Sequence, residues 1–578
     1  MATTTVAIPK TRGGAFLIEN SSPEEIFTPE DFTDEHRAIA KTTDEFWQKE
    51  VVPNIDAIRH QDHALCARIL KKSGELGLTA VVLPEKFGGM EMDLTSMMVV
   101  AEGLAREGSY SAWHGAHTGI GTLPLLLFGT EAQKAKYLPK LATAEMIAAY
   151  CLSEPQAGSD ALAARTRADL SEDGKHYILN GQKMWITNGG FADLYTVFAK
   201  VGGEKFTAFL VERAWPGVKP GAEEKKMGIK GSSTTAVFLD NVKVPVENVL
   251  GEIGRGHIIA FNILNIGRLK LGPFAHGGCR ADLADAIQYA KERKAFGKSI
   301  SEFGMIQHKI AEMAVRMFAS ESTTYRVVGA IEAQLAGSTM LKAVEEFATE
   351  CSFIKVFASE TLDYVVDECV QIHGGYGFSQ EYSCEHAYRD SRINRIFEGT
   401  NEINRLLATG MIMKRAQKGL LPLLEAGKKL HEEIMAGPKL GGEIDMVANA
   451  KKIGLFTMGM AVLKYAAALE EQQEVVANIT DILMNAYAME SAMLRAEKIA
   501  RSGKNAENAK DMAAVFAREA MDIIESASKT VLTACAEGDT LRGNLAILKR
   551  FAKYEPVNTI GLRKKIAARM IEAGKYTV

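Results

Sequence analysis

The sequence predicts an α+β protein in which helical regions lie on both sides of one β-rich region. Up to about residue 147, and again after residue 256, apolar residues recur at helical spacing. Between residues 148 and 255, short runs of β-branched and aromatic residues alternate with Gly, Asn and Asp. No helix-length segment separates these runs, so the strands are expected to pair in an antiparallel barrel or sandwich rather than a parallel α/β sheet.

The N-terminal region contains the clearest helix signals. Thr28 followed by Pro29 indicates a helix cap with proline at the first position, and apolar residues then recur at helical spacing as far as Val51. Further helices are predicted over residues 93–106 and 131–142. This part of the chain is therefore expected to be wholly helical.

The β-rich region contains five runs that predict strands. They cover residues 176–181, 184–188, 194–199, 206–211 and 235–239. After residue 256 the helical pattern returns, and a stretch rich in glycine and lysine indicates a connector before the last helices. The predicted organisation is a helical domain (1–147), a β domain (148–255), a second helical domain (256–415), a connector (416–449) and an extra helical domain (450–578).

Composition excludes several classes of protein. The formal net charge is −4 at pH 7 and no long basic block is present, so a nucleic-acid-binding protein is not expected. The seven cysteines are scattered and odd in number, without a CxxC pair, which favours reduced thiols in a reducing compartment.

Targeting signals are weak. The N-terminus lacks the charged-then-apolar pattern of a secretory signal; it is rich in threonine but has only Lys10 and Arg12 as early cations, a faint likeness to an organellar transit peptide. The most apolar stretch, residues 454–469, is interrupted by Lys464 and is too short to cross a bilayer. A soluble protein is therefore expected.

Several familiar cofactor-binding and metal-binding motifs are absent or incomplete. No GxGxxG is present, so a nucleotide cofactor would not be bound in the Rossmann manner. His60, His63 and Cys66 have plausible metal-ligand spacing, but no fourth ligand lies nearby in sequence, and a polar helix surface is the favoured interpretation. No metal site is predicted.

Four glycine-punctuated segments are the strongest functional signal. They are Tyr-Cys-Leu-Ser-Glu-Pro-Gln-Ala-Gly-Ser-Asp at 150–160, Gly-Gln-Lys-Met-Trp-Ile-Thr-Asn at 181–188, Gln-Ile-His-Gly-Gly-Tyr-Gly-Phe at 371–378 and Arg-Ile-Phe-Glu-Gly-Thr-Asn-Glu-Ile at 395–403. Any one of them alone is more simply interpreted as a turn. Together with Glu-Arg-Lys-Ala-Phe-Gly-Lys at 292–298, and in this order, they closely resemble the acyl-CoA dehydrogenase family over residues 35–415.

The resemblance implies a fold and a cofactor. In that family a helical domain, an antiparallel β-barrel and a four-helix bundle follow one another, and FAD lies between the barrel and the bundle. The residues that the resemblance assigns to FAD are Tyr150, Leu152, Ser153, Trp185, Thr187, Arg293, Phe296, Gln371, Gly375, Thr400 and Glu402. Arg293, Phe296, Gln371 and Gly375 are expected to reach the FAD of a neighbouring subunit.

The resemblance also implies a reaction, in which a proton leaves Cα and a hydride leaves Cβ of a fatty acyl thioester to give the trans-2-enoyl-CoA. Glu398 is the expected base, and Gly399 allows close approach of the substrate. Some relatives carry the base on a helix, immediately before a CoA-contacting arginine; here that pair is Gly267-Arg268, so Glu398 is the single candidate. Ser159, Arg268 and Gly399 are expected to bind the CoA thioester.

The C-terminal extension resembles the very-long-chain branch of the family, which implies long-chain substrates and a homodimer. Lysines and arginines at 414, 415, 418, 428, 429 and 439 alternate with leucines at 420, 421, 423, 424 and 430. Two interpretations stay open: an amphipathic surface for peripheral contact with anionic lipid, or a basic linker with one buried leucine face.

Two rival functions share this fold. An acyl-CoA oxidase would keep the base but pass electrons to oxygen instead of an electron-transfer flavoprotein. A non-catalytic scaffold would not need Glu398, Thr400, Trp185 and Arg293. The bacterial cytoplasm is the expected compartment, with the mitochondrial matrix as the alternative.

Overall fold

The computed structural model describes residues 8–437 and 444–578. Residues 1–7, which are part of the segment compared with a transit peptide, and Lys439 of the basic stretch lie outside these ranges. The α-helices are α1 Asp34–Phe46, α2 Ile55–Arg59, α3 His63–Glu75, α4 Leu94–Gly103, α5 Gly108–Ala116, α6 Leu123–Phe128, α7 Glu131–Ala142, α8 Gly256–Glu292, α9 Gly304–Leu335, α10 Met340–Glu346, α11 Ala348–His373, α12 Ser383–Ser391, α13 Asn401–Gln417, α14 Leu423–Met435, α15 Met446–Tyr465, α16 Gln473–Arg501, α17 Glu507–Cys535, α18 Gly538–Phe551 and α19 Thr559–Ala573. The strands are β1 Ala148–Cys151, β2 Arg167–Leu170, β3 His176–Thr187, β4 Leu194–Val201, β5 Lys205–Glu212, β6 Val218–Glu223, β7 Thr234–Pro245, β8 Val249–Leu250, β9 Lys294–Ala295 and β10 Lys298–Ser299.

The N-terminal helices follow the predicted pattern with one correction. Helix α7 has the predicted bounds, and it begins with a capping box between Thr130 and Gln133. The predicted start of the first helix at Thr28 is wrong: Pro29–Asp31 forms only a short 3₁₀ turn. Helix α1 begins after Thr33, whose hydroxyl accepts a hydrogen bond from a backbone N–H in the first turn.

The β domain is one sheet with the strand order β6-β7-β3-β2-β4-β5-β8, and β1 pairs separately with β4. All five predicted runs lie in strands, and the first two merge into the long strand β3. Most pairs are antiparallel, as predicted, but β1 and β2 both run parallel to β4 along the same edge. These two pairings join segments that are distant in sequence, so local patterning gives no signal for them.

The bundle begins with α8, a 37-residue helix that packs against α9, α11 and the sheet strand β5. Helices α10 and α11 follow one another with a break at Phe347. Buried apolar residues on α8, including Ile263, Ile266 and Leu269, join the core that also fills the sheet. The sheet and part of the bundle therefore share one hydrophobic core, and α8 contacts the sheet at strand β5.

The predicted connector contains a regular helix, α14. Its leucine-rich stretch is divided between two environments: Leu421, Leu423 and Leu430 are buried, whereas Leu420 and Leu424 are exposed. The three buried leucines agree with the interpretation of a linker with a buried leucine face. The two exposed leucines agree with the interpretation of an amphipathic surface, so each interpretation describes part of the segment.

The apolar stretch at 454–469 lies in a longer helical segment than its sequence suggests. Met446–Glu471 spans 26 residues and, by length and composition alone, is long and apolar enough to cross a membrane. The expectation that shortness excludes a span is therefore wrong. The segment nevertheless packs against α16 and α17 and buries Lys451 in an ion pair with Glu490, as in the core helix of a folded domain.

The extra helical domain is held to the rest of the chain by buried ion pairs. Arg495 on α16 lies 2.8 Å from a carboxylate oxygen of Glu30 and 2.6 Å from one of Glu321 on α9. Glu321 also pairs with Arg280 on α8, which in turn lies 2.7 Å from Glu102 on α4. One network thus links the N-terminal helices, the bundle and the C-terminal domain.

Replacing Arg495 with alanine should destabilise the protein by roughly 3 kcal/mol, because it leaves the buried Glu321 and the partly buried Glu30 without their shared cation. Urea unfolding followed by circular dichroism measures the change. Arg501→Ala is the matched control: Arg501 lies on the same helix and pairs with Glu24, but both side chains are more than half exposed. We expect that control to change stability by less than about 1 kcal/mol; equal losses in the two variants would contradict the anchoring role of Arg495.

Candidate active site

Glu398 lies in a tight loop immediately before α13. Its φ is +57° and that of Gly399 is +79°, so two consecutive residues adopt left-handed backbone conformations. Thr400 then caps the helix by accepting a hydrogen bond from Ile403 N–H at 3.2 Å. A non-glycine residue in this conformation is strained, and such strain is common where a side chain must be aimed at a ligand.

Asn404 holds this loop in place from one turn further along α13. Its side-chain Nδ2 donates to the carbonyl oxygens of Gly399 at 2.8 Å and Thr400 at 3.0 Å. From the other side, Arg268 Nε donates to the carbonyl oxygen of Glu398 at 3.3 Å. The backbone of the loop is therefore fixed by α13 and α8 together.

Gly267 on α8 makes room for the Glu398 carboxylate. A Cβ at position 267 would lie 2.7 Å from Oε2 and 3.0 Å from Oε1 of Glu398. No real Cβ tolerates such contacts, so glycine is required if the carboxylate is to keep this position. The carboxylate thus lies directly against the backbone of α8.

The carboxylate is in an environment that disfavours its charge. Oε2 of Glu398 is buried and has no hydrogen-bond partner among the described residues. Burial raises the pKa of Glu398 to about 7, although Arg268 and Lys355 partly offset this effect. Lys355 itself donates to Asn401 at 2.6 Å. A carboxylate with a pKa near neutrality can both accept and release a proton at physiological pH.

A cavity of about 220 Å³ opens beside Glu398. Its walls are largely apolar, with Ile263, Ile266 and Phe274 on one side, and Thr187 at the end of β3 also lines it. A buried carboxylate at one end of an apolar cavity is an arrangement suited to proton abstraction from an otherwise apolar substrate.

The predicted flavin-contacting residues lie along the sheet next to this cavity. Tyr150 and Leu152 are buried at the end of β1, and the negative charge of Glu398 contributes to a raised pKa of the Tyr150 hydroxyl, second to burial. The carbonyl oxygen of Ser153 accepts a hydrogen bond from Met184 N–H at 2.9 Å. Trp185 has a φ of +59° and is 57% exposed.

This surface fits a large aromatic cofactor. An indole held open to solvent by a left-handed backbone provides a flat apolar face that a flavin ring would cover. Thr187, two residues after Trp185 on β3, lines the same cavity as Glu398. A flavin ring that covers the Trp185 indole would therefore lie next to this cavity. The residues present are therefore compatible with a bound flavin.

Other predicted cofactor residues form a separate recess on the outside of the bundle. Arg293 and Gly375 line it, with the Arg293 guanidinium 5.5 Å from the centre of the Tyr376 ring. Gln371 is exposed beside it, and Phe296 is 96% exposed with a φ of +52°. The structure does not bring these residues to the cavity of Glu398.

Three further predicted site residues are Arg268, Ser159 and Glu402. Arg268 is 6% exposed and donates to Asn265 Oδ1 at 2.7 Å, so it is a buried side chain and not a solvated charge on the helix surface. Ser159 and Glu402 are exposed and do not line the cavity. Whether they contact a ligand stays a prediction.

Sequence reasoning missed the residues that support the site. Gly267 was noted only because it is not a carboxylate, and Asn404 carried no signal beyond its position six residues after Glu398. A buried pair, Lys183 with Glu154 at 2.7 Å, also went unnoticed. Glu154 accepts hydrogen bonds from the backbone N–H groups of residues 165 and 166, and the pair therefore ties the loop after β1 to strand β3.

The residues considered as metal ligands do not form a cluster. His63 lies 3.4 Å from Glu223, and Cys66 is buried with its thiol pKa raised to about 12, chiefly by burial. A different set, Cys369, His373 and Cys384, has its ligand-type atoms within 4.8 Å of one another. All seven cysteines are buried and free, as the reducing-compartment interpretation expects.

Comparison with known protein families gives four matches in chain order. They are "Acyl-CoA dehydrogenase, N-terminal domain" at residues 33–145, "Acyl-CoA dehydrogenase, middle domain" at 149–242, "Acyl-CoA dehydrogenase, C-terminal domain" at 254–412, and a second family with that last description at 449–550.

Individual relatives agree with these matches. A "Probable acyl-CoA dehydrogenase" of Bacillus subtilis (strain 168) is 50% identical over 586 residues, covering 98% of each chain. The "Very long-chain specific acyl-CoA dehydrogenase, mitochondrial" of Homo sapiens is 38% identical over 465 residues, covering 74% of this chain and 70% of the human one. A crystal structure of an acyl-CoA dehydrogenase complexed with FAD from Bacillus anthracis superposes with a TM-score of 0.97, at 48% identity, covering 98% of this chain and 100% of that one.

The raised pKa of Glu398 predicts a pH-dependent effect of Glu398→Gln on stability. The folded-state pKa is about 7 and the ordinary value is 4.5. The wild type therefore loses stability as pH rises from about 4.5 to about 7, by roughly 3 kcal/mol in total, whereas glutamine does not titrate. The variant should be no more stable than the wild type near pH 4.5, and clearly more stable near pH 8.

Thermal unfolding of both proteins across this pH range measures the difference. Glu402→Gln, at an exposed position in the same segment, is the control and should show no such rise. A Glu398→Gln difference that stays constant with pH would show that the carboxylate is not desolvated in the folded state.

Proposed function

The chain belongs to the acyl-CoA dehydrogenase family, and on this premise we propose that it oxidises fatty acyl-CoA thioesters to trans-2-enoyl-CoA with Glu398 as the base that removes the α-proton. The observation that carries the proposal is the buried Glu398 carboxylate, whose pKa is raised to about 7 at the end of an apolar cavity. A thioester α-proton is only weakly acidic, so its removal needs a base that is poorly solvated and fixed in position.

Several residues of the chain would position the base and stabilise the charge that develops on the substrate. Gly267 admits the carboxylate, while Asn404 and Arg268 hold the loop backbone that presents it. The backbone N–H of Glu398 would donate to the thioester carbonyl oxygen and stabilise the negative charge that develops there as the α-proton leaves. The apolar walls exclude water, which keeps the base poorly solvated until substrate is bound.

The family is FAD-dependent, and FAD supplies the acceptor for the β-hydride. Trp185, Thr187, Tyr150, Leu152 and Ser153 would hold the ring system beside the cavity. Thr400 and Glu402, at the start of α13, would contact the nucleotide portion. Those roles rest on the family resemblance, with the exposed Trp185 indole as their main structural support.

Arg293, Phe296, Gln371 and Gly375 support a homodimer. They surround or adjoin an outward-facing recess instead of the cavity of their own chain. Gly374 and Gly375 have open space where a side chain would be, and an arginine beside such a space suits a pyrophosphate group. We propose that this recess takes the FAD of the partner subunit; a monomeric holoenzyme in analytical ultracentrifugation would contradict it.

The finer assignments follow from the relatives. Likeness to the human very-long-chain protein over 74% of this chain supports long-chain substrates. An electron-transfer flavoprotein as the electron acceptor is what the family resemblance implies. The Bacillus relatives support a bacterial cytoplasmic location. Oxygen consumption coupled to acyl-CoA turnover would instead favour the oxidase alternative.

Contact with a membrane surface is supported by α14. Leu424 and Met435 are 75% and 73% exposed and lie on one helical face, with Lys428 between them. An exposed apolar face carrying cations suits peripheral binding to anionic lipid. Co-sedimentation with phosphatidylglycerol vesicles that is unchanged in a Leu424→Ser, Met435→Ser variant would contradict this part of the proposal.

Anaerobic mixing with palmitoyl-CoA tests the reaction through the flavin absorbance band. The wild type should bleach rapidly, whereas Glu398→Gln should bind FAD and remain unbleached, because glutamine cannot accept the α-proton. Gly267→Ala should bleach about 100-fold more slowly, because the added methyl group displaces the carboxylate.

Gly410→Ala is the matched control for that substitution, since a Cβ at position 410 meets nothing within 4 Å. It should bleach at the wild-type rate. Equal bleaching in the wild type and in Glu398→Gln would remove Glu398 from its role, and a purified protein that binds no flavin would favour the scaffold alternative.

A further inference from the structure

Several charged residues besides Glu398 line its cavity, among them Glu107, Asp282, Asp390 and the lysine Lys270. Lys270 follows Gly267 by three residues on α8, so both lie on the same face of the helix. Its side chain borders the cavity, and the residue is only 5% exposed. The ammonium donates to the Thr118 hydroxyl at 2.8 Å, and Nζ lies 5.5 Å from the centre of the Phe274 ring.

Four lysines of the described chain are deeply buried, and Lys270 differs from the other three in having no nearby carboxylate; for Lys355 the nearby carboxylate is Glu398, whose charge acts on it. Lys183 pairs with Glu154, and Lys451 pairs with Glu490. Lys270 has no carboxylate within 4 Å among the described residues, and burial alone lowers its pKa, to about 8. A buried cation without a counter-ion is unfavourable, and such groups are concentrated at functional sites.

The neighbouring histidines cannot supply the missing negative charge. Burial is the largest cause that lowers the pKa values of His114 and His117, so both imidazoles are neutral near pH 7. His117 is also fully hydrogen bonded: one ring nitrogen lies 3.0 Å from the Leu141 carbonyl oxygen and the other accepts from Ala148 N–H at 3.1 Å. The surroundings of Lys270 therefore provide polar atoms but no anion.

The space next to the ammonium is open to a ligand. Gly119 faces Lys270, and a Cβ at that position would come within 3.6 Å of Nζ. Gly119 and Ile120 line the same cavity as Glu398. Along α8, the backbones of Gly267 and Lys270 are separated by a rise of roughly 4.5 Å, and Lys270 lines the same cavity as Glu398.

We propose that Lys270, whose ammonium is held by the Thr118 hydroxyl, binds a carboxylate carried by the acyl chain, so that the cavity accepts CoA thioesters of dicarboxylic acids. The inference rests on the proposed dehydrogenase function and deepens it by naming a substrate class. A carboxylate would give the ammonium the counter-ion it lacks, and a charge-assisted hydrogen bond in an apolar cavity is strong.

The test compares substrates that differ only in the terminal group. For the wild-type holoenzyme and Lys270→Met, kcat/KM is measured with sebacoyl-CoA and decanoyl-CoA, and with the suberoyl and octanoyl pair. The ratio of the dicarboxylyl to the unsubstituted substrate should fall by roughly 10- to 100-fold in Lys270→Met. Thr118→Val should shift the ratio in the same direction by less, and Lys564→Met, at an exposed position on α19, should leave it unchanged.

A binding measurement separates this role from a structural one. Sebacoyl-CoA should raise the thermal unfolding temperature of the wild-type holoenzyme more than decanoyl-CoA does, and Lys270→Met should abolish that difference. A ratio that does not change in Lys270→Met, or a wild type that does not distinguish the paired substrates, would overturn the proposal. Absence of turnover with all four acyl-CoA substrates in the wild type would instead overturn the dehydrogenase function itself.

Discussion

The burial of one carboxylate against the backbone of a helix is the constraint on which the rest of the site depends. Glu398 can occupy its position only because residue 267 of α8 has no side chain, and it is held there by a loop with two left-handed residues. The same burial raises the pKa of Glu398 to about 7. Position and basicity therefore have one physical origin, and neither can be changed without affecting the other.

The surrounding fold supplies the rigidity that this arrangement needs. Helix α8 forms one wall of the cavity and also carries Arg280, which joins the ion-pair network around Arg495. Through that network the C-terminal domain is attached to the bundle and to the N-terminal helices. A long helix that is packed along its length and fixed by buried charges can hold the carboxylate and the cavity walls in fixed relative positions, to within a fraction of an ångström.

Much of this could be predicted from the sequence, because it depends on local patterns. The bounds of α7, the positions of the strands and the role of the loop at Glu398 follow from spacing, caps and a recognisable order of motifs. What could not be predicted depends on contacts between distant segments. The parallel pairing of β1 and β2 with β4, the space at Gly267, the hold of Asn404 on the loop and the isolation of Lys270 all require residues from separate elements to meet.

Exchange of the substrate's α-hydrogen with solvent tests the central claim most directly. The holoenzyme is incubated anaerobically with palmitoyl-CoA in deuterated water, and deuterium at Cα of the recovered thioester is measured by mass spectrometry. The account predicts exchange with the wild type that increases as pH rises through about 7, and none above background with Glu398→Gln. Equal exchange in both proteins, or exchange that does not change with pH in this range, would contradict the assignment of the buried Glu398 carboxylate as the base.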